Sequence, residues 1–91
     1  MLEGIRVVDD SDDANVGVYS QNSMTRINNS TISNKETAIE SIYSSYVVSQ
    51  NNTGTNNEIA LRASENARIA KIGSQPEAQT PELTEEGGII T

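Results

Sequence analysis

The sequence predicts a small, mainly α-helical fold: a hairpin of two short helices, at about 33–50 and 57–72, between two extended arms. Two segments open with residues that commonly begin helices, and a polar break containing glycine separates them. The flanking segments hold most of the acidic residues. We therefore divide the chain into an acidic N-terminal arm (1–32), a helical hairpin (33–72) and an extended acidic C-terminal arm (73–91).

The first predicted helix begins at Ser33. Ser33 and Glu36 form the Ser-x-x-Glu pattern, in which each side chain satisfies a free backbone N–H in the first helical turn. Four apolar residues follow at the i, i+3, i+4, i+7 spacing that places them on one face of a helix. The opposite face is rich in serine, so we expect this helix to need packing partners. The apolar face consists of Ile39, Ile42, Tyr43 and Tyr46.

The second predicted helix follows the break NNTGTNN, in which Gly54 ends the first helix and permits a reversal. Thr55 and Glu58 repeat the capping pattern, and strong helix formers dominate the run up to Ile72. The same run also alternates as strands do, in EIALRA and RIAKI, and this alternative stays open. The two segments share start signals but not faces, so we infer no internal repeat. One helical face, which would let another backbone approach closely, carries Ala63, Ala67 and Ala70.

The two arms carry weaker signals. The N-terminal arm contains two short β-prone runs, GIRVV at 4–8 and VGVY at 16–19, which could pair as a hairpin or extend a partner's sheet. The C-terminal arm has two prolines five residues apart, which favour an extended path. It ends in Ile89 and Ile90, which we interpret as a hydrophobic latch onto a neighbouring subunit.

Composition argues against several classes of function. The net charge is −7, and the chain has neither cysteine nor histidine, so it lacks a thiol nucleophile, the commonest general base and the commonest metal ligands. There is no basic stripe with stacking aromatics, no apolar segment of transmembrane length and no visible secretory signal. We therefore expect no enzyme activity, cofactor, metal, direct nucleic-acid contact or membrane span, and synthesis in the cytoplasm.

The acidic loop DDSDDAN is the one cluster that could bind a cation. Asp residues at alternate positions of a loop can supply oxygens to calcium, but an EF-hand loop needs Gly at its sixth position and Glu at its twelfth. Counted from Asp10, these positions hold Asn15 and Gln21, so the motif fails. A solvated acidic turn is the favoured interpretation, and a clamp for a partner's arginine or lysine is the alternative.

We expect the chain to be a non-enzymatic structural or assembly component, such as a minor structural, cementing or adaptor subunit of a virion or phage tail. Its low content of large apolar residues predicts that contacts with neighbouring protein subunits, copies of itself included, provide its order. The predicted contact residues are Ile39, Ile42, Tyr43, Tyr46, Ala63, Ala67, Ala70, Ile89 and Ile90.

Two alternatives belong to other classes. The chain could be a small acidic binding module or inhibitor that occupies a basic site on a partner. The residues in contact would then be Asp9, Asp10, Asp12 and Asp13. It could instead be a self-assembling helical rod or needle subunit, which predicts concentration-dependent polymers of the pure chain.

Overall fold

The computed structural model describes residues 2–3, 6–8 and 16–91, with only the backbone for the first two ranges. These residues form no helix, so the predicted mainly α-helical fold and its helical hairpin are wrong. All strand pairings among them are parallel, and the chain winds as a β-solenoid. The strands are β1 (Leu2–Glu3), β2 (Arg6–Val8), β3 (Val16–Gln21), β4 (Met24–Asn28), β5 (Thr31–Ser33), β6 (Thr37–Ile42), β7 (Tyr46–Gln50), β8 (Asn57–Ala63), β9 (Arg68–Ile72), β10 (Ala78–Thr84) and β11 (Ile89–Ile90).

The described strands stack into two main sheets and a short third one. Sheet A has the order β1-β4-β7-β9-β11, sheet C the order β10-β8-β6-β3, and sheet B pairs β2 with β5. Because the chain visits the sheets in turn, each passage forms one coil of the solenoid. Coil 1 holds β1 to β3, coil 2 holds β4 to β6, coil 3 holds β7 and β8, coil 4 holds β9 and β10, and β11 opens the next coil. In coil 3, sheet B is reduced to a single bridge between Thr31 and Thr53.

A spacing of 22 residues relates coils 2, 3 and 4 along sheet A. Met24 pairs in register with Tyr46, and Tyr46 pairs with Arg68. A hydrogen bond of 3.2 Å joins the hydroxyls of Thr31 and Thr53 at the same separation along the chain. The inference from the sequence that the chain has no internal repeat is therefore wrong. The repeat lies in the corners and strand starts, where equivalent residues are similar in type without being identical.

The first predicted helix is replaced by β6, a corner and β7. Tyr43 and Ser44 have φ values of 53° and 62°, a left-handed backbone that interrupts any right-handed helix. Ser33, expected to cap the helix, instead accepts a hydrogen bond of 3.0 Å from the N–H of Thr55 in the next coil. The two capping patterns therefore mark equivalent corners of adjacent coils.

The second predicted helix is replaced by β8 and β9, so the strand alternative for EIALRA and RIAKI is correct. Glu65 and Asn66, with φ values of 54° and 62°, turn the chain between them. Beyond residue 73 the chain continues the solenoid, because β10 pairs with β8 and β11 pairs with β9. Of the N-terminal β-prone runs, the described residues form β2 and β3, which pair with β5 and β6 rather than with each other.

The core is a narrow column of aliphatic side chains that stack from coil to coil. In sheet C, Val18, Ile39 and Leu61 lie in register and are at most 7% exposed. In sheet A, Val47 and Ile69 are paired and fully buried. Because each coil buries only a few side chains between the sheets, β-branched residues of moderate size fill the interior without Phe or Trp.

Two buried asparagines tie successive coils together. The side-chain oxygen of Asn52 accepts the N–H of Ser30 at 2.9 Å, and its amide nitrogen donates to the carbonyl of Ile27 at 3.0 Å. Asn57 spans three coils. It accepts the N–H of Lys35 in coil 2 and donates to the carbonyl of Glu77 in coil 4, at 3.1 and 3.0 Å. A buried asparagine whose amide is fully used in this way fixes the register of the stack.

At Gly54 the backbone of coil 3 lies directly against that of coil 2. Its φ is 139°, and a Cβ placed there would lie 1.7 Å from the carbonyl oxygen of Ile32. The glycine that was expected to break a helix is therefore the residue that lets two coils contact each other.

Candidate functional site

Three of the predicted contact residues have their side chains inside the chain. Ile39 and Ala63 have no exposed surface, and Ala67 is 1% exposed. Ile39 and Ala63 belong to the core cluster between sheets A and C. Their apolar character therefore serves internal packing.

The other predicted contact residues lie at least partly at the surface. Tyr43 is 45% exposed on the corner between β6 and β7, and Ile89 is 46% exposed on β11. Tyr46 and Ala70 are half-buried on sheet A, where Tyr46 lies in the same register column as Ile89. Ile42 and Ile90 are also half-buried, and Ile90 packs against the core. The structure thus brings part of the predicted set together, on sheet A.

Sheet A has a solvent-facing side that the sequence analysis missed. Along its strands, buried residues such as Val47 and Ile69 alternate with exposed or half-buried ones, as the two faces of a strand require. The most exposed of its large apolar residues is Met24, at 78%. We call this side the outer face of sheet A, and it consists of Met24, Arg26, Tyr46, Val48, Arg68, Ala70, Ile72 and Ile89.

The outer face of sheet A is positively charged although the chain is acidic overall. The sequences of β4, β7, β9 and β11 contain no Asp or Glu, and Glu3 of β1 aligns in register with Asn28 at the end of β4. Arg26 and Arg68 are exposed, and the guanidinium of neither forms an ion pair within the described chain. Apolar residues and arginines without an ion pair thus share one surface.

A second surface carries the opposite charge. Glu36, Glu58 and Glu77 lie where coils 2, 3 and 4 enter sheet C, and all three are exposed. Within the described residues none of these carboxylates forms an ion pair or a side-chain hydrogen bond. We call this surface the acidic corner. It lies across the cross-section from the outer face of sheet A, because the chain passes through sheet B or its remnant between the two.

The other ion pairs of the described residues lie within the molecule. Arg62 on β8 donates two hydrogen bonds to Glu85, of 3.0 and 2.6 Å, and approaches Glu40 of the preceding coil at 3.5 Å. The hydrogen bonds to Glu85 raise the pKa of Arg62; burial opposes this, and the charges of Glu40, Glu85 and Glu36 add to it. Lys71 on β9 pairs with Glu82 on β10, so this ion pair joins sheets A and C within coil 4. Both sets of contacts lie outside the outer face of sheet A and the acidic corner.

A shallow depression follows the corner between sheets C and A. It is lined by stacked polar residues and by one aromatic ring, Tyr43. The described lining contains no nucleophile paired with a base. The residues are Gln21, Asn22, Tyr43, Ser44, Glu65 and Asn66.

The structure bears on the metal and membrane predictions only for the residues that it describes. Among the described residues, no group of three His, Cys, Asp or Glu residues could hold a metal ion, and no helix could cross a membrane. The acidic loop DDSDDAN, with Asp9, Asp10, Asp12 and Asp13, lies outside the described residues.

The signal that could have revealed the outer face of sheet A is the 22-residue spacing. Met24, Tyr46 and Arg68 share no residue type, so a search for a repeated residue misses them, although their strands are in register. Comparison with protein-family models, with curated proteins and with solved structures finds no match to this chain. The surfaces themselves are therefore the basis for a functional proposal.

Proposed function

We propose that this chain is a non-enzymatic structural component of a larger protein assembly, in which it serves as a rigid block that folds on its own. The observation that carries the proposal is the unbroken stack of parallel strands from coil 1 to coil 4. Backbone pairing, a stacked aliphatic core and buried asparagines such as Asn57 all act between the same coils. Three independent sets of contacts in one direction favour a stiff body.

The low apolar content of the sequence predicts that neighbouring subunits provide the order of the chain. In the proposed function the coils of the chain provide it themselves. A solenoid needs fewer large side chains than a globular hairpin, since every coil covers the previous one. The core cluster of the described residues joins side chains of all four coils, from Val18 in coil 1 to Ile69 in coil 4.

The C-terminal end of sheet C is less suited to joining a neighbour than the sides of the solenoid are. β10 is the edge strand of sheet C, and it contains Pro81, which has no N–H to donate, and Glu82. Proline and charge on an edge strand oppose the addition of another strand. We therefore propose that neighbouring subunits contact the lateral surfaces of the solenoid, which disfavours an end-to-end polymer.

Hydrogen exchange of the isolated chain, followed by NMR together with thermal unfolding, tests the proposal. We expect the amides of β7 and β9, the central strands of sheet A, to exchange slowly and to open together in one global transition. Rapid exchange throughout both strands would show that the isolated chain has no stable fold, and the proposal would fail. End-to-end filaments of the wild-type chain would contradict its lateral part.

A further inference from the structure

We infer that the outer face of sheet A binds the acidic corner of a second copy of this chain, so that copies associate side by side. The inference rests on the proposed structural role, since it names the partner of the block. It starts from two unpaired and opposite charge sets on one molecule: Arg26 and Arg68 on one side, and Glu36, Glu58 and Glu77 on the other.

The outer face of sheet A does not complement itself. In a symmetric dimer formed by two such faces, Arg26 and Arg68 would face β4, β7, β9 and β11, which contain no acidic residue. The one acidic residue in the described strands of sheet A is Glu3, on the edge strand β1, and a single carboxylate cannot pair with both arginines. Burying unpaired arginines against like charge is unfavourable. The partner surface must therefore supply carboxylates, and this chain offers them at its acidic corner.

The heights of the charges along the solenoid also agree. Arg26 and Glu36 both belong to coil 2, and Arg68 and Glu77 both belong to coil 4. Neighbouring strands in a sheet are about 4.8 Å apart, so both pairs of charges are separated by the same two steps. Two copies with parallel axes, level with each other, bring each arginine to the height of a glutamate.

Coil 3 lies between these two charge pairs and can contribute a polar contact of its own. Glu58 lies at the height of Tyr46, whose phenolic O–H can donate a hydrogen bond to a carboxylate. Met24 and Ile89 flank the arginines and supply apolar surface to the same contact. The contact is heterologous, because each copy uses two different surfaces, and it can continue into a row of copies.

The face spans only four short strands, which predicts a weak contact that depends on salt. Sedimentation and chemical cross-linking from micromolar to near-millimolar concentration measure it. We expect the wild-type chain to associate at low salt and to lose at least about tenfold in affinity at molar salt.

Charge reversal of the two surfaces provides the decisive comparison. The double variant Arg26→Glu with Arg68→Glu, and the double variant Glu36→Arg with Glu77→Arg, should each lose association at least about tenfold when alone. An equimolar mixture of the two should associate again, because each reversed surface then meets its complement on the other variant. Restoration on mixing is a result that a general loss of stability cannot produce.

A matched control carries the same charge change elsewhere. Glu65→Arg with Glu86→Arg adds the same four charges on the corner between sheets C and A, outside both surfaces, and should associate at least as well as the wild type. If a reversed variant does not fold, neutral variants such as Arg26→Gln with Arg68→Gln give the same comparison with a smaller loss.

Three results would overturn the inference. A monomer at all concentrations, with slow hydrogen exchange retained, would remove the contact and leave the rigid-block proposal standing. Association that the control weakens as much as the two reversals do would place the contact elsewhere. The third result is a wild-type chain that does not self-associate but binds phosphatidylserine vesicles or polyglutamate, and loses this binding when the arginines are reversed. This would assign the outer face of sheet A another partner. Loss of slow exchange in the wild type would instead overturn the proposed function itself.

Discussion

Two regions of the molecule join the same coils by different means. At the corner that leads into sheet C, the buried side chain of Asn57 links coils 2, 3 and 4 by hydrogen bonds. On sheet C itself, Arg62 links the same coils through Glu40 and Glu85, with its side chain 34% exposed. The polar contacts resemble each other, but only the first region is shielded from water. We expect burial, not the number of contacts, to decide which region stabilises the fold.

The largest effect is expected at Gly54, in the buried region. Gly54→Ala places a Cβ against the backbone carbonyl of Ile32, which cannot move without separating two coils. We expect a loss of at least about 3 kcal/mol in the free energy of unfolding, measured by urea denaturation.

Gly73→Asn is the matched control for this glycine. Its φ of 69° suits asparagine, which occupies the equivalent corner positions 29 and 51 with a φ of 53° at each. A Cβ there would contact the side-chain oxygen of Asn51, but this side chain is exposed and can rotate away, whereas the carbonyl of Ile32 cannot. A cost below about 1 kcal/mol is expected here. Equal losses at Gly54 and Gly73 would contradict the close approach of the coils.

The next effect sharpens the comparison between buried and exposed amides. Asn57→Ala removes the partners of the Lys35 N–H and of two carbonyls, and we expect a loss of about 2–3 kcal/mol. Asn56 is its exposed neighbour, and within the described residues its side chain bonds only to that of Asn34. Asn56→Gly keeps the backbone φ of 62° without strain and should cost under about 1 kcal/mol. Thermal unfolding measures both losses. Similar losses for the two variants would contradict the larger contribution to stability that we expect from the buried amide.

A smaller effect is expected in the exposed region. Arg62→Ala should cost about 1 kcal/mol or less, because solvent screens its partly exposed ion pairs, and high salt should reduce the difference from the wild type. The pKa of Arg62 is higher in the folded chain than in the unfolded chain. The stabilisation from its charge is therefore fully present below the unfolded-state pKa, and it is lost only as the pH rises through the folded-state pKa. Its contribution should therefore be constant through neutral and moderately alkaline pH. A loss as large as that of Asn57→Ala would reverse the comparison.

The smallest effect on stability is expected on the outer face of sheet A. Arg26→Gln removes an exposed guanidinium that has no ion-pair partner in the described chain, so the free energy of unfolding should change by less than about 0.5 kcal/mol. The same change should weaken association between copies. A stability loss without any change in association would contradict the role inferred for this face.

Part of this fold could be predicted from the sequence. The strand alternation in EIALRA and RIAKI was visible, and β8 and β9 bear it out. The helix interpretation failed because Ile39, Ile42, Tyr43 and Tyr46 have helical spacing for another reason. Their spacing arises from the end of one strand, a left-handed corner and the start of the next strand. Short apolar patterns do not distinguish these cases.

The candidate surfaces could be predicted less well than the fold. Arg26 and Arg68 are far apart in the sequence, and nothing in their immediate neighbours indicates a common face. Only the pairing of β4, β7 and β9 places them on one side of sheet A. Two residues of the predicted contact set, Tyr46 and Ile89, lie on this face; they were selected because large apolar residues in a polar chain stand out.

The sequence by itself determines that the same kinds of residues return after 22 positions, as in Ser33 and Thr55 or Glu36 and Glu58. It also determines that left-handed corners are cheap, because Asn and Gly occupy many of them. Only the tertiary structure decided the register of each coil. Leu2 pairs with Ile27, 25 residues on, and Asn57 pairs with Ala78, 21 residues on. Corners absorb such differences in length, while hydrogen bonds and buried side chains between coils select a single alignment.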